Sequence, residues 1–196
     1  MPTASEFSTV LAEGKKGGES VTRRTYMLKL AGERISGVPM ESYSNASMER
    51  GKTMEAEARD FYSMVRKGEL QPVGFIVNDA FGCGCSPDRL IGKNGALEIK
   101  TALRNIVIDK QLRADFPPEH KAQSQGTLLV AERDWIDIAI YPIIEADMRR
   151  APNIPMFIKR AKRDEPYIKE LEAAIRKFND ELNEVVERIK CYRGAP

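Results

Sequence analysis

Apolar positions along the chain change their spacing twice, and each change predicts a different kind of element. Up to about Lys67 they recur every three or four residues, as on a helix. Thr3 or Ser5 can cap a short helix to about Ala12, and Gly14 to Gly18 reads as a loop. Val21 to Ile35 predicts a second helix with Tyr26, Leu30 and Ala31 on its inner face, ended by Gly37 and Pro39. Asn45 to Lys67 predicts a third, ended by Gly68, with Met48, Gly51, Glu55, Ala58 and Tyr62 along one stripe. The spacing then shortens, and Val73 to Val77, Gly82 to Leu90 and Ala96 to Thr101 read as three strands. Beyond them, Pro117-Pro118 opens a helix to about Ala131. Trp135 to Ile143 alternates as a strand, setting Ile136, Ile138 and Ile140 against Asp137, Ala139 and Tyr141, and Met156 to Ala161 reads as a further one. Pro166 begins a long amphipathic helix to about Lys190, whose apolar stripe is Ile168, Leu171, Ile175, Phe178, Leu182 and Val185. The order predicts an α/β (α+β) fold with a mixed central sheet flanked by helices.

Length and composition narrow the class. With 196 residues the chain fits one domain, 1–196, with a core over about 45–145 and the long helix at 166–190. A hydrophobic fraction of 42% fills a core, and 31% charged residues with a net charge of only +2 do not suggest disorder. Arg149, Arg150, Lys159, Arg160, Lys162 and Arg163 form a basic stretch that reads as either a solvated surface or a nucleic-acid contact. No run approaches the ~20 apolar residues of a membrane span, and the N-terminus has no signal-peptide pattern, so a soluble cytoplasmic protein is expected. Cys83, Cys85 and Cys191 build no disulfide framework, fall one short of the four ligands of an iron–sulfur cluster, and read as packing residues. No glycine-rich phosphate loop precedes a helix, which disfavours ATP-driven chemistry.

The candidate chemistry lies in Ser86-Pro87-Asp88 followed by Glu98-Ile99-Lys100. In a strand, Glu98 and Lys100 share one face, while Leu97, Ile99 and Thr101 take the other. A three-residue loop Lys93-Asn94-Gly95, with Gly95 left-handed, pairs Gly92 with Ala96 and Leu90 with Glu98. Asp88 then stands opposite Lys100 on the face of Glu98. Glu55, on a helical stripe with small and apolar neighbours, is the third acid; it pairs with a core-edge Lys or Arg or joins the other two. Three carboxylates and one lysine suit a hard cation, Mg2+ or Mn2+, and two such ions serve phosphodiester cleavage. His120 reads as an exposed helix-start residue and Trp135 as core or core edge.

These residues stand in segments that resemble a known family. Pro2 to Phe7 (PTASEF), Arg24 to Gly37 (RTYMLKLAGERISG), Met48 to Arg59 (MERGKTMEAEAR), Cys85 to Leu90 (CSPDRL), Ala96 to Thr101 (ALEIKT) and Lys121 to Gln125 (KAQSQ) are similar, in order and spacing, to the YqaJ-type viral recombinases. These are the lambda-exonuclease-like branch of the PD-(D/E)XK nucleases. The resemblance implies Asp88 as bridging metal ligand, Glu98 and the Ile99 carbonyl completing one metal site, Glu55 in the second, and Lys100 on the attacking water. It places Gln123 beside the metals, with Ser5, Ser86 and Gln125 toward the substrate. It further implies 5′→3′ degradation of one strand of duplex DNA from an end, leaving a 3′ overhang. A homotrimer around the DNA, a single-strand annealing partner in recombination, and a phage or prophage origin in a bacterial cell are implied with it. Family members carry an arginine ahead of the Thr-Ala-Ser segment that helps bind the 5′-phosphate, and no arginine precedes Thr3 here. The alternatives are a structure- or sequence-specific endonuclease of the same superfamily, and a non-catalytic DNA-binding recombination adaptor.

Overall fold

The computed structural model describes residues 1–14, 18–40, 46–143 and 154–192, and within 46–53 the backbone alone. A 3-10 turn (Ala4–Glu6) runs into α1 (Phe7–Val10); Thr3 stands at the N-cap position, yet its side chain makes no capping bond there. The second helix, α2 (Val21–Ser36), is capped by Ser20, whose side chain accepts from the Arg23 N–H. It ends where Gly37 turns left-handed (φ 70°) and bonds Glu33 O. Met27, Leu30 and Ala31 are buried, and half-buried Tyr26 stacks on Phe178.

The third helix, α3 (Ala46–Val65), buries Ala58 and Tyr62, as its stripe predicts; the burial of Met48 and Gly51 on that stripe lies outside what is described. Strands β1 (Leu70–Gln71), β2 (Ile76–Asn78), β3 (Cys83–Cys85), β4 (Arg89–Ile91) and β5 (Gly95–Ala102) follow. The predicted strand 82–90 is thus two strands in two different sheets, broken at Ser86-Pro87-Asp88, where Pro87 brings no N–H to a ladder. Next comes α4 (Arg104–Arg113), a helix the hydropathy pattern did not announce. A 3-10 turn (Pro118–His120) leads into α5 (Lys121–Val130), then β6 (Trp135–Pro142), β7 (Phe157–Lys162) and α6 (Glu165–Lys190).

The main sheet has the order β1-β4-β5-β6-β7, antiparallel except for the central β5–β6 pair, and β2 and β3 form a separate ribbon. The expected mixed sheet flanked by helices is present. Leu97, Ile99, Ala139 and Tyr141 face α3, whose Ala58 and Tyr62 complete that cluster. Ala96 and Ile136 pack on Leu128 of α5, and Ile138 and Ile140 on Val107 of α4. The alternation read in β6 therefore separates two helix layers rather than core from solvent, and Asp137 is buried with the rest of the strand. The α6 stripe packs against α1, α2 and α5, with Val186 buried and Val185 only partly so.

The β4–β5 hairpin keeps the expected loop length but not its place. Ile91 pairs with Gly95 and Leu90 with Ala96, so the loop is Gly92-Lys93-Asn94 and Gly92 (φ 53°) is the left-handed residue. Against the expected pairing of Leu90 with Glu98 the ladder has moved by two residues. A shift of two leaves every side chain on its face.

Candidate active site

Strand β5 carries the core of the site. Glu98 and Lys100 project from it toward α5, and the Glu98 carboxylate is buried (6% exposed). Its Oε1 accepts from Lys100 Nζ at 2.8 Å and from Gln123 Nε2 at 2.6 Å, while Oε2 is buried with no partner. A buried carboxylate oxygen left without a bond is costly unless a cation or a donor takes that place.

Asp88 sits just before the start of β4. Its N–H donates to Leu97 O at 3.1 Å, and its Oδ2 accepts from the Ile99 N–H at 2.5 Å. Ile99, two residues beyond Leu97, turns its backbone toward the same edge. Burial first, then the Glu98 charge, push the Asp88 carboxyl up to about 7, with Glu55 adding to the effect and the Ile99 N–H and Lys100 opposing it. Asp88 thus feels acids from both layers, Glu98 on the α5 side and Glu55 on the α3 side.

Glu55 is less enclosed than its stripe suggests. Its side chain is 40% exposed and lies 3.7 Å from Arg59 one turn on. Among the described residues, no three acid, histidine or cysteine side chains already form a metal cage. The expected convergence of all three acids is therefore incomplete: Glu55 is turned to Arg59, and Glu98 Oε1 to Lys100 and Gln123. Asp88 and the free Glu98 Oε2, with the Ile99 backbone turned to the same edge, fit one Mg2+-like ion, because such ions take one or two carboxylates and fill the remaining positions with water and phosphate oxygens.

The two glutamines of α5 separate cleanly. Gln123 reaches the site, whereas Gln125 is buried and donates to Lys162 O at 2.9 Å while accepting from Asp164 N at 2.9 Å. With both ends of its amide engaged, Gln125 ties α5 to the end of β7. This corrects the substrate contact that the resemblance implies for it. Ser5 and Ser86 do come together with Gln123. Pro2 O accepts from Gly84 N and Thr3 bridges to Gly84, which lays the N-terminal turn along β3. A pocket of about 130 Å3 results, lined by Thr3, Ser5, Phe75, Ser86, Gln123 and Thr127 among others.

Other expectations are revised. His120 is half-buried, not exposed, and burial followed by the Lys100 charge hold its imidazole below the ordinary value. Of the basic stretch, Arg149 and Arg150 lie outside the described residues. Arg160 grips buried Asp137 at 2.7 and 2.9 Å and covers the Trp135 ring at 3.4 Å. Arg163 bonds Glu165 and Leu128 O, and Lys159 bonds Ala114 O, so much of this charge is spent within the fold. Sequence reasoning missed the network in which Tyr62 donates to Asp137 at 2.6 Å; an aspartate inside an apolar strand was the available signal. Cys83 and Cys85 pack in the core, where burial pushes their thiols up to about 11 and about 12.

The YqaJ-like viral recombinase domain matches residues 1–134 of this chain. Among solved structures, the alkaline exonuclease LHK-Exo from Laribacter hongkongensis aligns at 29% identity and TM-score 0.81, covering 96% of this chain and 90% of that one. LHK-Exo in complex with dAMP aligns at 30% identity and TM-score 0.82, covering 96% and 91%. A phage-related exonuclease from Haemophilus somnus 129PT shares the fold at 17% identity and TM-score 0.64, covering 93% and 95%. A search of curated proteins gives no match.

Proposed function

Because the chain belongs to the YqaJ-like viral recombinase family, with alkaline exonucleases as structural relatives over nearly its whole length, we propose that it is a divalent-metal-dependent DNA exonuclease. In this reading it degrades one strand of duplex DNA from a 5′ end and leaves a 3′ single strand for annealing in recombination. The observation that carries the reading is the cluster Asp88, Glu98, Lys100 and Gln123, with its unpartnered buried carboxylate oxygen.

Asp88, Glu98 and the Ile99 carbonyl would hold Mg2+, or Mn2+ in its place, and Glu55 a second ion once freed from Arg59. Such ions supply Lewis acidity to the phosphodiester and help generate the nucleophile. The chain supplies the rest. Glu98 Oε1 fixes Lys100 Nζ at 2.8 Å, so the ammonium is aimed rather than waving in solvent. From there it orients an attacking water and balances charge on the reacting phosphate. Gln123, locked to the same oxygen, holds the wall of the pocket where Ser5 and Ser86 offer hydroxyls to a phosphate. A homotrimer encircling duplex DNA and a single-strand annealing partner belong to the same proposal, and sedimentation of the purified chain measures the first directly.

The test is digestion of 5′-labelled linear and closed circular duplex in Mg2+. Linear DNA should be consumed and circular DNA spared, with EDTA abolishing the reaction. Lys100→Ala should lower the rate about 10²- to 10³-fold, the range for losing one preorganised charge-stabilising donor, while DNA binding is retained. Cleavage of circular duplex would move the assignment to an endonuclease. Undiminished cleavage by Asp88→Ala would remove the metal assignment altogether.

A further inference from the structure

The carboxylate on α3 can meet Asp88 only if the helix keeps its rotation about its own axis. Glu55 and Glu57 are two residues apart, which places them about 160° apart around the helix. Between them runs the buried stripe of Ala58 and Tyr62, so the two acids leave the helix on opposite flanks. The Glu57 flank is fastened. Glu57 Oε1 accepts from the hydroxyl of Tyr141 on β6 at 2.9 Å, and the Tyr141 ring packs on Phe61 with centroids 5.8 Å apart. Tyr141 is itself buried (5% exposed), and burial together with the Glu57 bond pushes its hydroxyl up to about 12. In the sheet β4 lies across β5 from the strand of Tyr141, and α3 covers β5 and β6, so the opposite flank, carrying Glu55, lies on the side where Asp88 stands just before β4 begins; the Glu55 charge helps raise the Asp88 carboxyl. The residue after Phe61, Tyr62, bonds Asp137 and holds the helix against the same strand.

We propose that Tyr141 is a positioning residue: its hydrogen bond to Glu57 sets the rotation of α3 and thereby presents Glu55 to the Asp88 edge of the site. The proposal rests on the reading of Glu55 as a metal-directed acid. Tyr141 touches no reacting atom in this scheme and acts through α3 alone. Without the bond the exposed Glu57 carboxylate turns to water, α3 keeps the Tyr62–Asp137 bond as its anchor but can rock about it, and the approach of Glu55 is less closely set. Loss of one such constraint corresponds to about a three- to tenfold change in an equilibrium constant.

The experiment is calorimetric titration of the intact protein with Mn2+, with the Mg2+ dependence of cleavage measured alongside. Tyr141→Phe keeps the ring and its contact with Phe61 and removes only the hydroxyl. It is expected to weaken the second, weaker Mn2+ event about three- to tenfold and raise the half-saturating Mg2+ by a like factor. The rate at saturating Mg2+ and the melting temperature should stay near those of wild type. Glu57→Gln, which keeps an acceptor, should restore wild-type titration, and Glu57→Ala should reproduce Tyr141→Phe. In a Glu55→Gln background, Tyr141→Phe should have no further effect on Mn2+. If Glu55→Gln leaves Mn2+ binding unchanged, the reading of Glu55 fails and the proposal with it. If Glu55→Gln weakens binding but Tyr141→Phe does not, or the two effects add in full, the positioning role alone is overturned.

Discussion

Asp88→Asn is expected to stabilise the metal-free protein at alkaline pH while abolishing cleavage. The Asp88 carboxyl titrates near 7, against an ordinary 3.8, because it is buried beside Glu98. A folded-state value above the unfolded one favours the fold only while the group stays protonated. That contribution is complete below pH 3.8 and is lost as the pH rises through 7. At about 1.4 kcal/mol per pH unit, keeping Asp88 ionised in the fold at pH 8 costs about 4 kcal/mol. Asparagine escapes that cost but sets an amide NH2 where a carboxylate oxygen stood, and leaving that donor poorly bonded in a half-buried place gives back about 1 to 2 kcal/mol. The net gain is about 2 to 3 kcal/mol, or about 4 to 12 °C in melting temperature for a chain of this size. Thermal unfolding in EDTA, followed by circular dichroism from pH 4 to pH 8, reads it. The variant and wild type should differ little at pH 4 and separate progressively up to pH 7. Saturating Mg2+ should then raise the wild type at pH 8 and leave the variant unmoved, because ligand binding to the folded state adds stability by mass action. A pH-independent difference, or an asparagine variant less stable than wild type at pH 8, would refute the argument that the carboxylates are crowded in wait for a cation.

The two glutamines of α5 should part in their effects. Gln123→Ala should lower cleavage with little change in melting temperature, since its bond to Glu98 lies at the site. Gln125→Ala should cost about 1 to 3 kcal/mol, because it strips partners from Lys162 O and Asp164 N in a buried position; chemical denaturation of both variants separates them. Asp137→Ala leaves the Tyr62 hydroxyl buried without an acceptor, although Arg160, 46% exposed, can turn to water. About 3 kcal/mol is expected, the low end for breaking a buried pair, and an unchanged denaturation midpoint would show that the network bears no load.

How much of this was legible in the sequence depends on whether local pattern or tertiary cover decided the outcome. The long α6 helix and the buried Ala58 and Tyr62 of α3 follow from spacing alone. Helix α4 does not, because Ile106-Val107-Ile108 is a β-branched run and Leu103 caps it with no side-chain bond, so neither propensity nor a start signal marks it. Asp137 reads as a polar-face residue only if one face of β6 meets water. Here helices cover both faces, and alternation merely says which helix a residue meets. Gln123 and Gln125 differ by geometry that a two-residue spacing hints at but cannot assign.

The hairpin shows what strand parity does and does not determine. Moving the loop from Lys93-Asn94-Gly95 to Gly92-Lys93-Asn94 shifted the ladder by two, so Glu98 and Lys100 kept the face expected of them. Parity says nothing, however, about where a strand stops, and the stop is what builds this site. Pro87 ends the strand pairing beside Asp88, whose own N–H still bonds Leu97 O while its side chain is left to bond β5 as well. Its Oδ2 bends back to the Ile99 N–H, at an edge exposed to the fields of both Glu98 and Glu55. An aspartate inside a continuous strand would answer to one layer only. The break at Ser86-Pro87 is therefore the feature that sets Asp88 where the charges of acids on opposite sides of one sheet, Glu98 and Glu55, both reach it.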